Sequence, residues 1–403
     1  MSTTQIAVLV LLCPLLAYSQ VDSRAAEIQA ERQKKSETVK PESNPGIERT
    51  LLRINDQKIV ERILGGLNGL RIKLGGLAVA QGFAVGPEYV REDLAKGQVR
   101  FRAAAIASIA EALKYDLQLT LPKLAGEHVF VDLYSAYANM PRIQYYGPGP
   151  DSKKTGRSNF RRETAEFDAV AGIKPLRHLT LAAKGGYLMV NTGPGTHDDL
   201  ASIEQNFNPI ATPGLDRQSD FLRGGGFIQY DYRDIPGGPK SGGNYKAEFT
   251  YHSDRTFQAY SFNMLDLEVQ QYIPFFNQRR VIALRGKTVL TDAGRGQQVP
   301  FYLQPVLGGS ETLRGFRPYR FYDNNLLVLN AEYRWESFSG LDMAIFVDGG
   351  KVFPRTGDLN FRNLEGSAGF GFRFNVRNSV FLRVDVGFSH EGFQVWFKFN
   401  NVF

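Results

Sequence analysis

The chain has 403 residues, 43% hydrophobic and 22% charged, which excludes a disordered polymer and allows one large or two ordinary domains. Its 41 Gly, 29 Phe and 18 Tyr against five Met and one Cys favour β-structure with many tight turns over a helical bundle. The net charge of +7 is spread without a basic arm or stripe, which argues against nucleic acid as a partner.

Residues 1–19 read as a signal peptide: Ile6 to Leu16 is apolar, too short to span a bilayer, and followed by the small-residue site Ala17-Tyr18-Ser19, although Met1 to Gln5 lacks the usual Lys or Arg. The lone Cys13 falls inside it, so the mature chain is expected to carry no disulfide and no thiolate metal ligand. Residues 20–68 read as a periplasmic leader. After a polar stretch to residue 44, Ile47, Leu51, Ile54, Ile59 and Ile63 recur at roughly helical spacing until Gly65-Gly66. The spacing over 47–64 fits one amphipathic helix or two short pieces bent at Asn55-Asp56. Its apolar side needs a cover: the lumen of a barrel, the inner leaflet, or a periplasmic partner.

From residue 69 to 403 the pattern becomes segments of about ten residues that alternate apolar and polar between Gly, Pro, Asn and Asp. Beyond the signal peptide no apolar run approaches eighteen residues, so a membrane crossing would use strands. Val380, Leu382, Val384, Val386 and Phe388 form one face, with Phe381, Arg383, Asp385, Gly387 and Ser389 opposite. Segment 366–376 repeats the pattern. The last segment sets Phe393, Val395, Phe397, Phe399 and Phe403 against Gln394, Lys398 and Asn400, while 126–139 and 258–273 are irregular enough to suggest bulges.

Sixteen strands result, at 70–78, 81–92, 97–112, 113–122, 126–139, 159–172, 176–191, 219–232, 243–255, 258–273, 278–292, 323–337, 341–350, 366–376, 379–389 and 391–402. Short turns fall at one end, as at 93–96 and 377–378, and long loops at the other, as at 192–218 and 293–322. An even strand number with that asymmetry predicts an all-β fold, a sixteen-stranded antiparallel transmembrane β-barrel behind a short N-terminal leader. A soluble sandwich or propeller competes less well, because the chain runs hairpin after hairpin. Glu166, Asp168, Lys184, Lys246, Glu248, Arg373, Arg383 and Asp385 then face the lumen, where they shape a permeation path or simply pair along water. His197-Asp198-Asp199 reads as a hydrated loop.

The loop before the twelfth strand carries Gly308-Gly309-Ser310-Glu311-Thr312-Leu313-Arg314-Gly315-Phe316. Asn330-Ala331-Glu332-Tyr333-Arg334-Trp335 and Phe346-Val347-Asp348-Gly349-Gly350 follow on the next two strands, and the sequence ends on the aromatic Phe403. In that order these segments resemble the BamA/TamA superfamily, the bacterial surface antigen domain. By this resemblance Arg314 is assigned to the tip of an inward loop and Glu332 and Asp348 to its lumenal partners; Gly315 permits the tight turn and Phe316 packs on the wall. A planar guanidinium suits such a lock better than an ammonium. On alternation alone, a solvated Arg314 above acids lining a wet lumen is the simpler reading.

The resemblance implies a bacterial outer membrane location and a barrel whose first and last strands pair weakly, opening toward a protein or lipid client. Gly75, Gly76 and Gly392 are compatible with a weak seam, and Gly392, Phe399 and Phe403 are assigned to the seam and the C-terminal assembly signal. The family's periplasmic POTRA domains do not fit into the roughly fifty residues before the first strand, so the insertase role does not carry over unaltered. The expected partners are outer-membrane lipids, protein or lipid clients and a periplasmic protein, with no cofactor and no metal. The expected function is assistance to insertion or translocation of proteins or lipids. The alternative is a passive channel gated by the 293–322 loop. An outer-membrane phospholipase or protease ranks last, because no Gly-x-Ser-x-Gly, His-Glu-x-x-His, P-loop or dinucleotide fingerprint is present.

Overall fold

A strand that alternates apolar and polar residues can face two different solvents, one on each side. In the computed structural model, which describes residues 68–75, 77, 81–338, 340–376, 379–399 and 403, that alternation produces a single antiparallel sheet of sixteen strands in chain order. These are β1 (Leu70–Leu74), β2 (Ala84–Leu94), β3 (Val99–Ser108), β4 (Leu113–Leu124), β5 (Val129–Tyr145), β6 (Ser158–Leu176), β7 (Leu179–Pro194) and β8 (Phe221–Asp231). There follow β9 (Gly242–Asp254), β10 (Phe262–Phe275) and β11 (Arg280–Ala293). A long loop holds the small hairpin of β12 (Val306–Leu307) with β13 (Phe321–Tyr322), before β14 (Asn325–Phe338), β15 (Leu341–Phe353), β16 (Glu365–Val376), β17 (Ser379–Ser389) and β18 (Gly392–Lys398) complete the wall. The signal peptide, the leader through residue 67 with its 47–64 segment, Cys13 and Gly76 lie outside the described residues.

Each of the sixteen strands read from the sequence has its counterpart, with shifted ends. β1 and β18 are shorter, at five and seven residues, while β5 and β6 reach 17 and 19. Register shifts occur between Leu121 and Leu124 and between Met140 and Ile143, so the irregularity around β5 is real. The bulge expected in 258–273 is not there: β10 pairs without a break on both sides. The misfit came from residues 258–261, which belong to the preceding loop, whereas alternation from Phe262 onward is regular.

Burial is the reverse of that in a water-soluble sheet. Phe370, Phe388 and Phe397 stand 42%, 48% and 66% exposed, while Arg373, Arg383 and Asp385 on the opposite face are at most 1% exposed. Exposed apolar side chains recur along the sheet, among them Leu117, Phe167, Ile228, Phe249, Val269 and Ile345. In water such a surface would drive association; facing acyl chains, it is the solvated side. No helix among the described residues is long and apolar enough to cross a membrane.

Both mouths carry crossing segments. At the long-loop end Tyr145, Phe160, Phe221 and Phe262 from the strand ends join Ile203, Leu215, Phe301 and Tyr322 from the loops in one buried apolar cluster. The Tyr145 ring there meets Phe207, Phe301 and Tyr322 at centroid distances of 4.9, 5.6 and 4.8 Å. At the short-turn end the β8–β9 connection, residues 232–241, reaches other strands of the wall: the Val380 N–H of β17 donates to the Gly237 carbonyl at 3.1 Å, and Lys240 lies 3.8 Å from Glu336 of β14.

The two ends of the sheet meet through side chains. The Phe399 ring stands edge-on to Phe83 and to Phe381, each at 5.6 Å, and among the described residues β1 and β18 exchange no ladder hydrogen bonds.

Candidate lumenal lock and seam

The register places the inward side chains of four neighbouring strands in rows. Asn330 opposes Asp348, which opposes Ser367; one step along, Glu332, Phe346, Gly369 and Gly387 stand side by side; one further, Gly371 opposes Asp385, which opposes Trp396 on β18. The three glycines leave a trough. A Cβ on Gly369 would lie 2.5 Å from the Phe346 ring, and one on Gly371 2.0 Å from Asp385 Oδ1, so larger neighbours already occupy the space the glycines vacate.

The β11–β14 loop lays its tip into this trough. Arg314 is fully buried, and its fork is bidentate: Nε donates to Asp348 Oδ2 at 2.9 Å and Nη2 to Asp348 Oδ1 at 2.6 Å, while Nη1 donates to Glu332. Its guanidinium sits 3.4 Å from the centroid of the Phe346 ring, and its backbone N–H also donates to Asp348 Oδ2, at 3.1 Å. Asp348 is itself oriented by Asn330 Nδ2 at 2.8 Å and Ser367 Oγ at 3.2 Å. Burial opposes the charge on Arg314, but the carboxylates of Glu332 and Asp348 outweigh it and push its pKa up, so the guanidinium stays protonated.

Gly315 is constrained not by a left-handed turn, as expected, but by close approach to the wall, and Gly387 is constrained as tightly. A Cβ on Gly315 would meet the Phe388 carbonyl oxygen at 2.5 Å, and one on Gly387 would meet the Arg314 carbonyl oxygen at 2.4 Å. Loop backbone and wall backbone therefore touch, and only glycine permits it on either side. The contact is fastened by the Trp396 indole N–H, which donates to the Arg314 carbonyl at 2.7 Å, and by Ser389 Oγ, which donates to the Gly315 carbonyl at 2.8 Å. Phe316 is fully buried and meets Phe321 at 5.6 Å and His390 at 5.4 Å, beside Leu307, Leu313, Leu326, Val328 and Val352.

Three of the residues read as permeation-path charges have a different place. Arg373, Arg383 and Asp385 are packed around the lock: Arg373 Nη2 donates to Glu332 Oε1 at 3.1 Å and Arg383 Nη2 to the Ser310 carbonyl at 3.0 Å, with Asp385 Oδ2 3.7 Å from Arg314 Nη1. With Arg334, whose Nε donates to Glu332 Oε2 at 2.6 Å, the cluster comprises Arg314, Arg334, Arg373 and Arg383 against Glu332, Asp348 and Asp385. Parity identified their face; it could not say that a loop fills the space in front of them.

Glu166, Asp168, Lys184 and Glu248 do pair across strands as partly hydrated charges, and Lys246 pairs with Glu248 along β9. Arg223 Nη2 reaches Asp168 Oδ2 at 2.7 Å and Glu166 at 3.2 Å, Lys246 reaches Glu248 at 2.6 Å, and Lys184 joins Glu248. His197, Asp198 and Asp199 form no metal-holding group, and none of at least three His, Cys, Asp or Glu occurs among the described residues.

At the seam, Gly392 opens β18 with φ at +124°, a turn requirement rather than a strand weakness. Gly75 lies beside Phe399: a Cβ on Gly75 would stand 3.9 Å from Phe399 Cβ. Phe403 departs from expectation. Parity sets it on the outward face with Phe393 and Phe397, whereas it is buried among Tyr272, Val281 and Ala283 with the guanidiniums of Arg334 and Arg285 at 5.3 and 5.9 Å. The sequence reading gave no role to Asn330, Ser367, Gly387 or Trp396, and the usable signal was parity: each shares the inward face, Asn330 on the strand of Glu332 and the others on the strands that follow.

A model of the Omp85 superfamily domain matches residues 97–394. No curated protein is detectably similar in sequence. Among solved structures, the chain is similar to BamA from Haemophilus ducreyi lacking POTRA domains 1–3, with a TM-score of 0.61 at 14% identity over 83% of this chain and 70% of that one. It is also similar to CdiB from Escherichia coli, with a TM-score of 0.53 at 13% identity over 81% of this chain and 61% of that one. At such identities the likeness is one of fold.

Proposed function

The chain belongs to the Omp85 superfamily as an outer-membrane β-barrel, and on that premise we propose that it assists insertion or translocation of proteins or lipids at the outer membrane by opening the seam between β1 and β18. The observation that carries this reading is the seam itself. Each neighbouring pair in the sheet order from β1 to β18 is joined by a hydrogen-bonded ladder, whereas among the described residues β1 and β18 share none, and Phe399 just past β18 touches Phe83 and Gly75. A strand edge without a ladder partner is a template for another strand. Short strands beside it also narrow the apolar belt that the bilayer must match.

Clients under this reading are unfolded barrel strands or lipids, and a periplasmic partner delivers them, with the 47–64 segment as its docking site. The passive-channel alternative draws less support: the loop that would gate it is tied into a buried ion cluster and an apolar plug, neither of which a solute displaces readily.

A disulfide tests the proposal. In the variant Gly75→Cys/Phe399→Cys, with Cys13 replaced, the Cβ separation of 3.9 Å suits an S–S bond. Reconstituted in vesicles and offered a urea-unfolded outer-membrane barrel protein or a fluorescent phospholipid, the oxidised variant is expected to stop accelerating insertion or lipid transfer and to recover on reduction. Undiminished activity in the oxidised state sinks the seam reading; solute flux without either activity favours the channel.

A further inference from the structure

A second group of charged residues lies at the long-loop rim, apart from the lock around Arg314. Arg320 is 4% exposed, and all three of its terminal nitrogens are engaged: Nε donates to Glu391 Oε1 at 2.8 Å, Nη1 to Ser152 Oγ at 2.9 Å and Nη2 to the Ser152 carbonyl at 2.7 Å. Its guanidinium sits 4.3 Å from the Phe321 ring centroid and 5.0 Å from that of Tyr146. From the β5–β6 loop, Lys154 Nζ donates to the Glu391 carbonyl at 2.7 Å. Glu391 is the turn between β17 and β18, and its two predecessors are also held, Ser389 by the Gly315 carbonyl and His390 by the Phe316 ring.

The far end of the same strand is held differently. Among the described residues the β17–β18 ladder runs to the pair Arg383 and Lys398, and Phe399 beyond it makes ring contacts with Phe83 and Phe381. β17 is restrained at that end by the hydrogen bond from Val380 to Gly237, a bond β18 does not share. One end of the seam strand is thus bound by short charge-assisted hydrogen bonds, and the other, among the described residues, by the ring contacts of Phe399 and a longer, half-hydrated ion pair of Lys398 with Glu311 at 3.9 Å.

We propose that Arg320, with Glu391 and Lys154, is a positioning clasp that fixes the tip of the β17–β18 hairpin, so that β18 leaves β1 from its Phe399 end while the tip and the loop stay in place. This rests on the seam-opening reading. The edge offered to a client is then exposed from the short-turn end first, and the plug need not leave the lumen. Arginine suits the task because one planar fork reaches a carboxylate on the hairpin and two oxygens on another loop at once.

Hydrogen–deuterium exchange of the full chain in phospholipid vesicles tests the clasp, followed in peptides covering 386–393, 394–399 and 326–348. In the unaltered protein 386–393 is expected to exchange more slowly than 394–399. Glu391→Gln, and Arg320→Lys as a milder second variant, are expected to raise exchange in 386–393 by roughly tenfold or more, as loss of a charged hydrogen bond implies, while 326–348 around the lock stays protected. Glu391→Asp, which keeps the charge, should retain most of the protection. Unchanged exchange in 386–393 overturns the clasp, and so does an equal rise in 326–348. The Gly75→Cys/Phe399→Cys disulfide separates the two readings: if it leaves client insertion intact, the seam reading fails and release of β18 from its Phe399 end fails with it, whereas exchange at the tip of the variants reports on the clasp's hold alone.

Discussion

Two parts of the lumenal wall use the same residue types to opposite effect. On β6 to β9, Asp168, Lys184, Arg223 and Glu248 pair across strands with their side chains still 16–28% exposed. On β14 to β17, Glu332, Asp348, Arg373 and Asp385 do the same with exposures of at most 1%. What separates them is the loop carrying Arg314, which covers one stretch of wall and leaves the other wet. A hydrated pair gains little and loses little when cut, whereas a dry one leaves an uncompensated charge behind. The loop therefore turns an ordinary ion ladder into a structural lock.

The comparison breaks most severely at Arg314. Arg314→Ala should cost about 3–5 kcal/mol, because Glu332 and Asp348 lose their central cation in a dry site, and urea unfolding in vesicles should show it. Arg314→Lys should recover only part, since an ammonium cannot bind Asp348 bidentately. Next comes Gly387→Val, expected to cost about 1–3 kcal/mol by forcing the loop backbone off the wall, visible as faster proteolysis within 308–316. Trp396→Phe removes one hydrogen bond to the Arg314 carbonyl and should cost about 1 kcal/mol in the same unfolding measurement. Lys184→Ala, on the wet side, should stay below about 1 kcal/mol and shrink further in high salt. A loss there as large as at Arg314 would abolish the distinction between the two regions.

Most of the wall was legible in the sequence because a period of two determines which side chains share a face, and the face decides the solvent. The motif around Arg314 was legible only through its order with Glu332 and Asp348. Parity placed Arg373, Arg383 and Asp385 inside correctly and then misread them as a wet path, since nothing local in β16 or β17 records a loop anchored some seventy residues earlier. Gly369, Gly371 and Gly387 carry no local signal for the same reason: their necessity comes from Phe346, Asp385 and Arg314 pressing on them. Phe403 was set on the outward face by parity, whereas its burial comes from Tyr272, Val281 and Ala283, more than a hundred residues away in sequence. In each case the missing information was tertiary and non-local.

The segment 232–241 has a mechanical meaning beyond covering a mouth. Anchored at its root in β8 and β9 and touching β14 and β17 at its far side, it is a chord across a ring. A ring braced by a chord resists flattening along that line but still yields where the chord does not reach. β18 lies just past the attachment at Val380, outside the span the chord braces, so strain imposed by the bilayer on this wall is steered toward that strand.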